Sequence, residues 1–258
     1  MSASSNKPTI VLIHGAWHTP ESFADLCSQL SAYKIITPSL PSSSTTPALP
    51  SFDRDVEIAC TAIRNVVENE GEDCLVVMHS YGGVVGTEAV KGLKHRGKDG
   101  FGGGVVGLVY LASFMLREGE SVAENGAAAA APSESPKPGT NECWLTIENG
   151  LGTVHDGPSR FYNDLSPETA AYWTSKLTAQ SIASPLTYAA WRYIPTSYLL
   201  CTEDHALPFP VQEKLVERAE GFVDVVEEVK SSHSPFLSQI DVVGRFIRKA
   251  AGEKVIAP

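Results

Sequence analysis

The stretch CLVVMHSYGGVVG, from Cys74 to Gly86, decides how the chain is built. It is apolar from Cys74 to Met78, stops at His79-Ser80 and breaks into Gly82-Gly83. A short apolar run ended in this way reads as a buried strand, and the residues from Gly82 onward read as the helix that follows it. Two adjacent glycines cost backbone entropy, so this turn needs the space or freedom that only glycine gives. Two readings compete. One is an ordinary strand-to-helix turn; taken alone, a serine before Gly-Gly is more often a helix cap. The other is a nucleophile elbow, a strained turn that presents a serine hydroxyl at the top of a sheet. The usual Gly-x-Ser-x-Gly pattern is incomplete here, because Met78 replaces the first glycine.

Outward from this turn the chain alternates. TIVLIHG (Thr9 to Gly15) is an upstream buried strand, and TPESFADLCSQLS is a helix with Thr19 as N-cap and Pro20 at its first position. YKIITPSLP carries a second strand, and residues 39–51, rich in Ser, Thr and Pro, are loop. Between Phe52 and Glu70, the residues Val56, Ala59, Cys60, Ile63, Val66 and Val67 recur with helical period. Downstream come the strands GVVGLVYLASF, TSYLLCTED and VDVVEEVK, the helix PFPVQEKLVERA, and a last helix from Pro235 to Gly252. Continuous apolar strands between amphipathic helices predict an α/β fold, a mostly parallel sheet of about six strands flanked by helices.

The alternation is interrupted once. Residues 116–194 are expected to form a small helical cap, inserted after the strand that ends near Phe114, with 1–115 and 195–258 as the core. Helices are expected around Asn141–Asn149 and Ser166–Leu177. The Ala/Pro-rich piece from Glu124 to Thr140 is too poor in large apolar residues to pack firmly and reads as a mobile loop.

Composition narrows the function. A net charge of −10 disfavours nucleic acid as a partner, since phosphate binding needs clustered Lys and Arg. No apolar run approaches the ~20 residues of a membrane helix, so no membrane partner is expected. The five cysteines (Cys27, Cys60, Cys74, Cys143, Cys201) are odd in number and lack metal-ligand spacing. The N-terminal MSASSNKPTI has neither a basic n-region nor an apolar h-region, and a cytoplasmic location is expected. His14, His18 and His79 could suggest a metal site, but no carboxylate or cysteine cluster completes it. Neither metal nor cofactor is expected. A homodimer is the assembly to test.

A serine nucleophile needs an adjacent base, itself oriented by a third group. LLCTEDHALP ends a strand with the acids Glu203 and Asp204, and VKSSHSPFL ends the last strand with His233. Functional groups of open α/β sheets gather beyond the C-terminal strand ends, where Ser80, these acids and His233 all fall. The order serine, acid, histidine turns the odds toward catalysis. Glu118 and Glu120, after ASFML, mark a second place for the acid. An oxyanion hole needs two backbone N–H groups. Tyr81, directly after Ser80, supplies one; in HGAWH, Gly15 lets the backbone come close, and Ala16 or its neighbour Trp17 supplies the other. Trp17, His18, Tyr188 and Trp191 are the candidates to line an apolar pocket for the substrate.

Together VLIHGAWH, VVMHSYGG, LVYLASFMLREGES, CTEDHALP and SHSPFLSQ resemble the small α/β-hydrolases that include plant methyl esterases and hydroxynitrile lyases, with fungal and bacterial relatives. The resemblance covers nearly the whole chain. It implies the α/β-hydrolase fold with a small cap, Ser80 as nucleophile, His233 as base and Asp204, by its spacing to Pro208, as the orienting acid. The lyases it resembles carry Thr where Gly15 stands and Lys directly after the catalytic histidine. Here that second position is Ser234, so no cation meets a departing cyanide. The expectation is a cofactor-independent serine esterase or lactonase acting on a small aromatic, cyclic or polyketide-like substrate. C–C cleavage or lyase chemistry on the same scaffold, and a ligand-binding pseudo-hydrolase, are the alternatives.

Overall fold

The computed structural model describes residues 7–43, 47–95, 103–122, 125, 144–181, 185–219 and 221–255. Its strands are β1 (Thr9–Ile13), β2 (Ile35–Ile36), β3 (Cys74–His79) and β4 (Val105–Leu111), then β5 (Leu145–Glu148), β6 (Leu151–Val154) and β7 (Gln180–Ser181), then β8 (Thr196–Cys201) and β9 (Val225–Val229). Six of them form one parallel sheet in the order β2-β1-β3-β4-β8-β9. The chain leaves β1 toward one edge and returns to lay β3 on the other side of it. The topological switch thus falls between β1 and β3, where an open α/β sheet offers a crevice beyond its strand ends.

Side chains of successive strand residues point to opposite faces, and the core divides accordingly. Val11, Ile13, Val76, Met78, Leu108, Tyr110 and Tyr198 pack beneath α2 (Asp53–Arg64) and α3 (Gly82–Ala89). Ile10, Leu12, Leu75, Val77, Val109, Leu111 and Leu199 face α1 (Ala24–Gln29) and the C-terminal helix Ile240–Ala250. Both faces are covered, which is why the strands read as unbroken apolar runs.

Several local expectations need correction. The first helix opens as a 3₁₀ turn, Pro20–Phe23; Thr19 occupies the cap position, but its hydroxyl makes no capping bond. The second strand is reduced to Ile35–Ile36. The helix expected to reach Glu70 is α-helical to Arg64 and widens to a π-turn over Asn65–Asn69.

The larger correction lies between β4 and β8. The helix expected around Asn141–Asn149 is a hairpin over its described part: β5 and β6 are antiparallel, and Glu148 pairs with Leu151 across Asn149-Gly150. Both turn residues have positive φ, 52° and 79°, the backbone of a two-residue type I′ turn and the reason Asn-Gly suits it. β7 adds to β6, giving a three-stranded antiparallel sheet where helices alone were expected. The helix within Ser166–Leu177 is present as Pro167–Ser175, with Ser166 Oγ accepting from Thr169 N–H. Apart from Asn125, the Ala/Pro-rich piece Glu124–Thr140 lies outside the described residues.

Candidate active site

Ser80 stands at the end of β3 with φ at 53°, a left-handed conformation that costs a non-glycine residue on the order of 1–3 kcal/mol. The surroundings hold it there. Its N–H donates to Leu111 O, and its carbonyl accepts from Gly83 N (3.0 Å), Phe114 N (3.1 Å) and Ser113 Oγ (2.7 Å). Gly82 follows because a Cβ there would lie 2.5 Å from Ile13 O. The missing first glycine is compensated from the helix. Met78 lies beneath Gly86, where a Cβ would come within 2.5 Å of Met78 Sδ, so Gly86 makes the room that a glycine at position 78 would have left.

The C-terminal ends of β8 and β9 supply the partners. His233 Nδ1–H donates to Asp204 Oδ2 at 2.7 Å, and Nε2 accepts from Ser80 Oγ–H at 2.9 Å. Asp204 is held from several sides: Oδ1 accepts from Ala206 N and Leu207 N, and Oδ2 also from Gln212 Nε2 at 3.1 Å. Such a set of donors occupies both carboxylate oxygens and locks the rotamer. Gln212 was not foreseen; it is a fully buried polar residue on the inward side of the helix Phe209–Glu217, three residues before buried Leu215, and that break in the apolar face was a legible signal. Glu203 points away, toward Lys230 at 3.4 Å. Glu118 accepts from Ala189 N, and Glu120 pairs with Arg218, so neither takes the position of the acid.

After β1 the chain runs close under the serine. A Cβ on Gly15 would lie 2.7 Å from His79 Nδ1 and 2.9 Å from Ser80 Cβ. His14 Nε2 accepts from Leu40 N, so its Nδ1–H donates to Gly15 O at 2.9 Å and fixes the peptide that carries the Ala16 N–H. Trp17 N–H is taken by Gln180 Oε1. Among the described residues, no protein acceptor takes the N–H of Ala16 or Tyr81, which leaves these two for a ligand.

Three buried histidines frame the site. His18 Nδ1 bonds Ala16 O and its Nε2 bonds Tyr162 OH; burial drives its pKa down to about 3. Burial, with His233 and His18 nearby, likewise holds His79 far below the usual value. His79 is therefore neutral, and its Nε2–H donates to His233 O at 2.9 Å, tying the serine's neighbour to the backbone of the histidine. Burial lowers His14 as well.

An aromatic wall flanks His233. Phe161 lies 5.6 Å from its ring, Trp17 5.7 Å from Phe161, and Trp144 6.0 Å from Trp17. Of the expected lining residues, Trp17 and His18 are here. Tyr188 and Trp191 are not brought to it: Tyr188 stacks on Tyr193, and buried Trp191 donates its Nε1–H to Leu116 O and packs on Phe222. Phe161 and Trp144 were not anticipated, because they reach the site only through folding of the insertion.

Comparison with known proteins agrees with this fold. The chain is 34% identical over 256 residues to the alpha/beta hydrolase nvfD of Aspergillus novofumigatus, covering 96% of this chain and 98% of that one. In fold it is similar to polyneuridine aldehyde esterase (TM-score 0.71, 17% identity, 95% and 99% of the two chains). It is also similar to tomato methylketone synthase I in complex with 2-tridecanone (TM-score 0.74, 16% identity, 96% and 98%). The model of the alpha/beta hydrolase family matches residues 10–245, and the chain is an enzyme of that family.

Proposed function

We propose that the protein is a serine hydrolase that cleaves a small carboxylic ester or lactone through an acyl-enzyme. The observation that carries this reading is the bonded chain Ser80 Oγ–His233–Asp204, with Ser80 in a strained conformation at the switch point of the sheet. Ser80 Oγ attacks the carbonyl carbon while its proton passes to His233 Nε2. Asp204 holds the imidazole in the tautomer that accepts this proton and stabilises the imidazolium. The carbonyl oxygen gains the charge and receives the N–H groups of Ala16 and Tyr81. His233 then returns the proton to the departing alkoxide, and water repeats the sequence on the acyl-enzyme, restoring Ser80.

The substrate reading rests on the wall of Trp17, Trp144 and Phe161, which suits a flat aromatic, cyclic or polyketide-like acid. The insertion 116–194 acts as the cap that sets this choice. The esterase named among the structural neighbours supports ester cleavage as the reaction class. Four described cysteines are free thiols, which supports a reducing, cytoplasmic setting. A fluorophosphonate probe should label wild-type protein and leave Ser80→Ala unlabelled, and a panel of aryl esters and lactones should be turned over by the wild type alone. A folded wild-type protein that neither labels nor hydrolyses any of them overturns the reading.

A further inference from the structure

We propose that Gln180, a residue of the insertion, is a positioning residue for the oxyanion loop, aiming the Ala16 N–H by holding Trp17. This rests on the serine-hydrolase reading above. Trp17 has φ at 61°, a left-handed backbone uncommon for so bulky a residue. Each of its polar atoms is bonded to the insertion. Its N–H donates to Gln180 Oε1 at 3.3 Å, its carbonyl accepts from Thr178 N (2.8 Å) and Thr178 Oγ1 (3.1 Å), and its Nε1–H donates to Gly152 O at 2.9 Å.

The Gln180 amide is itself fixed. It is 5% exposed; Oε1 also accepts from Ser43 Oγ at 2.8 Å, and Nε2 donates to Ser42 Oγ and Ser181 O, each at 2.9 Å. A flipped amide would turn its NH₂ against the Trp17 N–H and two donors would meet, so this network admits one orientation. The same seam continues through Ser42 N–H to Asp55 Oδ1, whose other oxygen accepts from Tyr81 OH at 2.7 Å. One buried polar line thus ties the insertion to Tyr81 and to Trp17, the residue that follows Ala16. Occupying the Trp17 N–H leaves Ala16 as the donor and holds the loop in the shape that presents it.

The test compares 4-nitrophenyl acetate with its thionoester, whose sulfur is a poor hydrogen-bond acceptor, in wild type and Gln180→Met, with active sites counted by fluorophosphonate titration. For the oxygen ester, kcat should fall about 10- to 100-fold with KM nearly unchanged, because the donor is misaimed rather than removed. For the thionoester the fall should stay within about threefold, so the ester-to-thionoester ratio collapses. That ratio is independent of how much protein is folded. Should Gln180→Met not accumulate, Ser43→Ala, which frees Oε1, should lower the ratio in the same direction by a smaller factor. Equal losses on both substrates, or an unchanged ratio in the variant that folds, overturns the inference alone. No labelling and no turnover by wild type overturns the hydrolase reading, and this one with it.

Discussion

Replacing Gly15 by alanine tests the close fit under Ser80, the proposed nucleophile. The new Cβ would sit 2.7 Å from His79 Nδ1 and 2.9 Å from Ser80 Cβ, against the 3.4 Å at which ordinary van der Waals contact begins. Neither neighbour can yield freely. The His79 ring is pinned by its bond to His233 O and packed between Phe236 at 4.8 Å and His18 at 5.5 Å. Ser80 is held by three donors on its carbonyl. Relief therefore moves either Ser80 or the backbone of His233. Overpacking a rigid site costs about 1–3 kcal/mol. In a chain of this size that lowers the melting temperature by roughly 2–4 °C for each kcal/mol. If Ser80 is the nucleophile proposed above, displacing it by a fraction of an ångström should lower kcat by about 10- to 100-fold. Melting curves and aryl-ester turnover of Gly15→Ala measure both. A variant that melts with the wild type and turns over at its rate would refute the steric argument, and Gly15→Thr should be worse on both counts.

Three further outcomes are expected. Asp204→Asn should lose on the order of 10⁴-fold in kcat, since an amide that keeps accepting from Ala206 and Leu207 turns its NH₂ toward His233 Nδ1–H and forces the wrong tautomer. Glu203→Gln, measured in the same esterase assay at matched stability, should lose little, and the reverse pattern would assign the acid to Glu203. Acid should destabilise the fold early: His18 and His79 are held neutral by burial, while in the unfolded chain each takes up a proton near pH 6.5. The unfolded state then binds more protons, and stability drops as pH falls from about 6.5 toward the folded value of His18, about 3. At pH 5.5 each costs about 1.4 kcal/mol. Denaturant midpoints that match at pH 7 and 5.5 would contradict this. Mandelonitrile cleavage should be negligible beside ester hydrolysis, because fully buried Ser234 follows His233 and offers no cation for cyanide; cyanide release that outruns every ester and lactone tested would reverse the assignment of reaction type.

What the sequence made legible is what short-range pattern encodes. The apolar runs Thr9–Ile13, Cys74–His79 and Thr196–Cys201 announced strands because both faces of the sheet are covered. The order of Ser80, Asp204 and His233 could be read without a structure because each ends a strand, and parallel strands bring their ends together. The stretch around Asn141–Asn149, whose described part is the first strand and turn of a hairpin, reads as helix from sequence although Asn149-Gly150 is a strong turn signal, because Trp144, Leu145 and Ile147 also fit a helical face. Asp55 and Gln180 could not be found from pattern at all. Their partners lie 26 and 163 residues away in Tyr81 and Trp17, and a buried polar residue is explained only by the groups that fold around it.

The fit of Met78 against Gly86 makes two positions, eight residues apart, a single heritable unit. Any route between this turn and one with glycine at position 78 must pass through an intermediate that is either crowded or hollow. A side chain added at position 86 first collides with the Met78 thioether. A glycine placed at position 78 first leaves the volume of a methionine empty between Gly86 and Tyr110, its partner on the next strand, with a cost of about 2–5 kcal/mol expected for such a cavity. Each change acts on the same space, so the effect of either depends on the residue at the other position. A search of new sequences that insists on glycine two residues before the serine will pass over chains of this kind, whereas one that accepts bulk there together with a glycine in the second turn of the following helix will recover them.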